Sequence, residues 1–148
     1  MDDLNVGFIG CGVHARSAVY PSLKYGPFDL VCTCAAHENS AKTTASTFGA
    51  KRWYTDYRKM LNSEELDACL VVLPPKLYRD TIITCLEAGL PVFAEKPGAE
   101  TAGDATAILS ASKKAGRPVM VGFMKRFAPA YRRAKEISTS TEFGKITI

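Results

Sequence analysis

One hundred and forty-eight residues, 47% hydrophobic and 23% charged with a formal net charge of +4, make about one domain of ordinary globular composition. That excludes a collagen-like repeat, a coiled coil or a long disordered tail as the main architecture. Charge or Gly/Pro interrupts every apolar run before the roughly 18 residues of a membrane span, and the acidic Met1-Asp2-Asp3 start is unlike a secretory leader, so the expected setting is cytoplasmic, with no membrane partner.

Along the chain, apolar runs alternate with helical stretches. Asn5–Ile9 reads as a strand, residues 10–15 as a glycine-containing turn, and Arg16–Tyr25 as a helix with Pro21 as a local irregularity. Leu30–Ala36 is a continuous apolar strand of the kind a parallel sheet buries on both faces. A helix over Asn39–Phe48 is closed by Gly49, and Trp53-Tyr54 is a brief strand. Asp56 then caps a short helix over Tyr57–Leu61. Ala68–Leu73 is a buried strand stopped by Pro74-Pro75, and Leu77–Ala88 a helix ended by Gly89. Pro91–Ala94 is a strand, Thr101 caps a helix running to Ala115, and Val119–Phe123 is the sixth strand. Ala130–Ile137 is a basic helix, and Lys145–Ile148 begins another strand. Strands alternating with helices at this spacing predict an α/β fold, a doubly wound, Rossmann-like parallel sheet of about six strands with helices on both faces.

The charge is unevenly placed. Residues 1–112 carry 10 Lys/Arg against 13 Asp/Glu, and residues 113–148 carry 9 against 2. A basic tail can meet nucleic acid. This one has no stacked aromatics and no nucleic-acid motif, so the expected reading is a face turned to water or to another domain. The five cysteines (Cys11, Cys32, Cys34, Cys69 and Cys85) form no Cys-x-x-Cys pair, and four sit in apolar runs. They read as small buried hydrophobes of a reducing compartment, with no metal site.

Gly10-Cys11-Gly12-Val13-His14-Ala15 is a G-x-G-x-x-A turn between the first strand and first helix, the context a dinucleotide fingerprint requires. Gly10 permits the tight turn, Gly12 lets a pyrophosphate approach the backbone, and Ala15 lets helix and strand pack closely. Cys11 and Val13 complete the loop, whose phosphates would face free N–H groups at the helix start. His14 suits a phosphate contact and a solvated helix-start residue equally. The acid that would hold an adenosine ribose is absent from the second strand's end, Cys34-Ala35-Ala36-His37. His37, Asn39, Ser40 and Lys42 could help hold a 2′-phosphate, so NAD and NADP both stay open. An S-adenosylmethionine methyltransferase also uses a glycine loop here, but would want that same missing acid.

Glu95-Lys96-Pro97 follows a strand, which puts a lysine at the strand end where parallel sheets bind ligands. Taken together, V-G-F-I-G-C-G-V-H-A, F-G-A at 48–50, D-Y-R-K-M-L at 56–61 and L-P-P-K-L-Y-R-D at 73–80 form an ordered set. It continues with E-A-G-L-P-V-F-A-E-K-P at 87–97 and V-G-F-M-K-R-F-A-P-A-Y at 121–131. In this set the chain resembles the N-terminal half of the Gfo/Idh/MocA oxidoreductases.

The resemblance implies a nicotinamide-binding domain over residues 1–125. Residues 126–148 would be a connecting helix and the start of a C-terminal substrate domain that this chain does not include. It implies that Lys96 is catalytic and touches the cofactor ribose, that Leu73, Pro74 and Pro75 pass the cofactor together with Ala36, His37 and Glu95, and that Arg126 lies near the mouth of the site. It implies hydride transfer on a sugar, cyclitol or related polyol by a protein that is homo-oligomeric at full length. A non-catalytic sensor of the same family is the alternative. Two positions depart from the family: Ala35 replaces the ribose acid, and Tyr78 stands where histidine is frequent.

Overall fold

The computed structural model describes residues 3–146. Six parallel strands form one sheet: β1 (Leu4–Ile9), β2 (Phe28–Cys34), β3 (Arg52–Tyr54), β4 (Ala68–Val71), β5 (Val92–Ala94) and β6 (Val119–Val121). Their order across the sheet is β3-β2-β1-β4-β5-β6, which reverses between β1 and β4. This is the doubly wound order in which ligands bind at the reversal, outside the strands' C-terminal ends.

The first helix, α1, is composite: a π turn over Ala15–Val19, an α turn over Tyr20–Ser22 and a 3-10 turn over Leu23–Tyr25. Pro21 is the cause. It has no N–H for the preceding turn, and its ring would press on the carbonyl four residues back, so the helix widens just before it. The remaining helices are α2 (Glu38–Phe48), α3 (Tyr57–Ser63), α4 (Tyr78–Glu87), α5 (Ala102–Ala115) and α6 (Pro129–Ser138). Asp56 and Thr101 cap α3 and α5 by accepting from the N–H of Arg58 and Asp104, while Gly49 and Gly116 close α2 and α5 in the left-handed conformation.

The core lies on both faces of the sheet. On one face Val6, Phe8, Ala15, Val19, Tyr20 and Leu30 pack under α1, with Phe48 of α2 at their edge. On the other, Ile9, Cys32 and Val71 meet Met60 of α3, Ile82 and Leu86 of α4, and Ile108 of α5. All five cysteines are buried and unpaired, and burial above all pushes the Cys32 and Cys34 thiols up to about 12.

Where the first face passes beyond α1 it is bare. An apolar groove lined by Val6, Leu23, Phe28, Leu70, Phe93 and Met120 runs along β4–β6. Helix α6 has no buried residue. No helix among the described residues is long and apolar enough to cross a membrane. The strand expected from Lys145 onward falls partly on residues 147–148, outside the described residues, and Lys145 and Ile146 belong to no strand.

Candidate functional site

Five of the six strands, all but the edge strand β3, hand their hydrogen-bond ladder to the loop that follows. Gly10 N–H donates to Cys34 O, Ala35 to Tyr54 O, Val72 to Ile9 O, Glu95 to Val71 O and Gly122 to Ala94 O, all between 2.8 and 3.1 Å. The loops that carry the motifs therefore leave one edge of the sheet side by side.

In the first loop Gly10 has φ 115°, and a Cβ there would lie 2.0 Å from the carbonyl oxygen of Val72 and 3.4 Å from Leu73 Cδ2. Both the backbone conformation and the neighbouring chain require glycine. The same measure places Leu73, expected beside the cofactor, directly against the glycine turn. Above Gly12 the space is open, with nothing within 4 Å of an added Cβ. At the start of α1, Arg16 N–H donates back to Gly12 O at 3.0 Å, and the first-turn N–H groups ahead of it have no acceptor in the helix. A bare backbone, open space and unpaired donors at a helix start are what a diphosphate needs, so the residues present fit the dinucleotide the motif calls for.

Cys11 turns inward. Its Sγ lies 3.7 Å from Cys34 O and 3.5 Å from Tyr20 Oη, so only its backbone faces the loop. Val13 is 77% exposed at the first turn. His14 reaches sideways to Glu95, with Nε2 3.6 Å from Oε2. Tyr20, which the sequence did not single out, donates to Gly10 O at 3.2 Å and stacks between Phe8 and Phe48 at centroid distances of 3.8 and 4.9 Å. It ties the glycine turn to the core. Burial, and then Cys11, hold its phenol well above its usual range. Only the folded helix brings Tyr20 beneath the loop, since the π turn sets its angle.

Strand β2 ends at Cys34, two residues before the expected limit. Ala35 is therefore half-buried just past the strand, Ala36 is exposed, and His37 occupies the N-cap of α2 without a side-chain capping bond. After β4, Pro74 is exposed and Pro75 opens a 3-10 turn into α4. Tyr78, in the family's frequent histidine position, is 1% exposed and packs in the core. Its phenol is raised first by burial, with the Leu73 backbone opposing and the Glu95 charge adding.

After β5, Glu95 Oε2 accepts the N–H of Lys96 at 3.1 Å, and the exposed Lys96 side chain makes no ion pair among the described residues. Gly122, after β6, lies against this group: a Cβ there would meet Glu95 Oε1 at 2.9 Å. Arg126, in the 3-10 turn after β6, stands apart, with its guanidinium 5.6 Å from the centroid of the Phe123 ring. The fold thus gathers Gly10, Gly12, His14, Leu73 and Glu95-Lys96 at one edge. Arg126, Ala36 and His37 make no side-chain hydrogen bond or ion pair to that group among the described residues.

A doubly wound sheet with a glycine turn at the start of its first helix, and open space over the second glycine, defines a dinucleotide-binding domain. The sequence profile of the Gfo/Idh/MocA oxidoreductase family, NAD-binding Rossmann fold, matches residues 4–123. The chain belongs to that family. It is 34% identical over 144 residues to the scyllo-inositol 2-dehydrogenase (NAD(+)) of Bacillus subtilis, covering 96% of this chain and 40% of that protein. It is 30% identical over 141 residues to the D-xylose 1-dehydrogenase (NADP(+)) 2 of Haloferax volcanii, covering 95% and 42%. The crystal structure of myo-inositol 2-dehydrogenase from Lactobacillus plantarum superposes with a TM-score of 0.87 at 30% identity, over 98% of this chain and 43% of that one. The chain thus spans about two-fifths of the length of the relatives it matches.

Proposed function

We propose that these residues are the nucleotide-binding part of a cytoplasmic dehydrogenase that acts on a CH–OH group of a cyclitol, sugar or related polyol. In this reading residues 1–125 hold the cofactor, and residues 126–148 lead toward the substrate side of a longer, homo-oligomeric protein. The observation that carries it is the open cradle over Gly12 on the same sheet edge as Lys96. The polyol range is supported by the names of the inositol and xylose dehydrogenases the chain matches.

When bound, NAD or NADP supplies the hydride chemistry, and the protein supplies placement. The backbone of residues 10–14 takes the diphosphate, and Leu73 with Pro74 and Pro75 borders the cofactor's path. Lys96 holds or relays the proton of the substrate oxygen, help of a kind that typically contributes roughly 10²- to 10⁴-fold in rate.

Titration of the purified chain with NADH and NADPH, followed by nicotinamide fluorescence, tests the binding step. Gly12→Asp puts a bulky negative group into the cradle and is expected to weaken binding by about a hundredfold or more, with an unchanged circular dichroism spectrum. Equal affinity in the variant would show that the diphosphate sits elsewhere.

A further inference from the structure

The loops after β1, β5 and β6 meet at one carboxylate. Glu95 follows β5, and its side chain is 12% exposed. One oxygen, Oε2, accepts the backbone N–H of Lys96 at 3.1 Å and lies 3.6 Å from Nε2 of His14, in the loop after β1. The other, Oε1, is packed on the backbone after β6, where a Cβ at Gly122 would stand 2.9 Å away. Tyr78, at the start of α4, is fully buried, and its phenol lies close enough to feel the Glu95 charge.

A His–Glu contact with the imidazole half in solvent contributes little to stability. Its value here is geometric. The loop after β1 carries the diphosphate cradle, and the loop after β5 carries Lys96. A dinucleotide bound at the point where the strand order reverses sets its diphosphate on the first of these loops and turns its nicotinamide half toward the second. Among the described residues, the His14–Glu95 contact, an ion pair when the imidazole is protonated, is the only polar side-chain pairing that joins the two loops. The Glu95 carboxylate also fixes the turn that presents Lys96: its Oε2 holds the Lys96 N–H, and its carbonyl accepts from Gly98 at 3.1 Å.

We propose that His14 and Glu95 form a clasp that sets the separation of the diphosphate loop and the Lys96 turn. Both are positioning residues for the nicotinamide half of the cofactor. The inference rests on the dinucleotide-binding reading above. The clasp is particular in its chemistry: position 14 must place a polar nitrogen where Nε2 stands, 3.6 Å from Oε2, and Gly122 must leave room for the carboxylate.

The test is calorimetric titration of the 148-residue chain with NADH and with ADP-ribose, which lacks the nicotinamide. The proteins are wild type, His14→Ala, His14→Gln, Glu95→Gln and the double variant His14→Ala/Glu95→Gln. His14→Ala and Glu95→Gln are each expected to weaken NADH by about tenfold while leaving ADP-ribose within about twofold. The double variant should lose no more than either single one, because two partners of a single interaction are not additive. Glutamine at position 14 carries an amide donor near the place of Nε2 and should recover most of the affinity. An additive loss of about a hundredfold, or an equal loss on ADP-ribose, would mean that His14 touches the diphosphate by itself and would overturn the clasp. If Glu95→Gln fails to fold, His14→Ala against His14→Gln decides alone, since that side chain is half in solvent. Wild-type protein that binds neither nucleotide would refute the dinucleotide reading itself. Wild-type binding that His14→Ala leaves unchanged would refute only the clasp.

Discussion

Ala35 sits one residue past the end of β2, its N–H held by Tyr54 O at 3.1 Å and its methyl group half-buried. It occupies the place where a carboxylate would accept from an adenosine ribose and repel a 2′-phosphate. Neither effect is available here, while the neighbouring His37, Asn39 and Lys42 side chains are exposed and polar or cationic. We propose that the chain separates NAD from NADP weakly or favours NADP. Ala35→Asp is expected to raise the ratio of the NADPH to the NADH dissociation constant by about tenfold, read from parallel fluorescence titrations. A wild-type preference for NADH of about a hundredfold, or an unmoved ratio in the variant, would contradict this. The motif glycines were legible at this scale because their demands are local: Gly10 needs its φ and Gly12 its bareness. Tyr20 and Gly122 were not legible, because one acts through a π turn and the other through a carboxylate in the loop after a neighbouring strand. Neither relation exists before the chain folds.

Helix α2 carries one buried defect. Thr44 is fully buried, and its hydroxyl has no hydrogen-bond partner. Thr33, buried across from it on β2, donates to Ala41 O at 2.9 Å. Leaving a hydroxyl dry and unpaired costs about 1–3 kcal/mol, and valine has nearly the same shape. Thr44→Val is therefore expected to stabilise the domain by about 1 kcal/mol and raise its thermal midpoint by a few degrees, measured by circular dichroism. The strands themselves were readable as apolar runs because the sheet is covered on both faces at its centre. Their ends were not. Strand β2 begins at Phe28 and Asp29, which pair with the exposed Leu4 and Asn5 where no hydrophobic pattern marks them. Strands β4 and β6 stop at Val71 and Val121, two residues before the apolar runs do, because Leu73 and Phe123 belong to the loops above the edge. Leu73 is half-buried against the glycine turn and Phe123 is 45% exposed, so an apolar residue at these ends marks neither a strand nor full burial.

The molecule as a whole is asymmetric. One end of the sheet carries the cradle and Lys96, while one face of β4–β6 and all of α6 are left without cover. The relatives run to more than twice this length. We expect the 148 residues alone to bind a dinucleotide but to show little or no turnover with inositols or sugars. Among the described residues Lys96 is the one polar group assigned to the substrate oxygen, and orientation of a second reactant can supply roughly 7–11 kcal/mol of a barrier. Steady, Lys96-dependent reduction of NAD or NADP by a polyol would refute this. The five amides that carry the ladder past the strand ends, at Gly10, Ala35, Val72, Glu95 and Gly122, bond to carbonyls of the neighbouring strands or to Tyr54 at the sheet's edge. Such amides are expected to open with the sheet rather than with the loops, which native-state hydrogen exchange would show as slow protection at these five positions. What can move on the nanosecond scale is confined to side chains standing on the floor these amides form, Val13 and Lys96 among them. A ligand arriving here meets a fixed surface with a few mobile posts, and the entropy lost on binding is drawn from those posts.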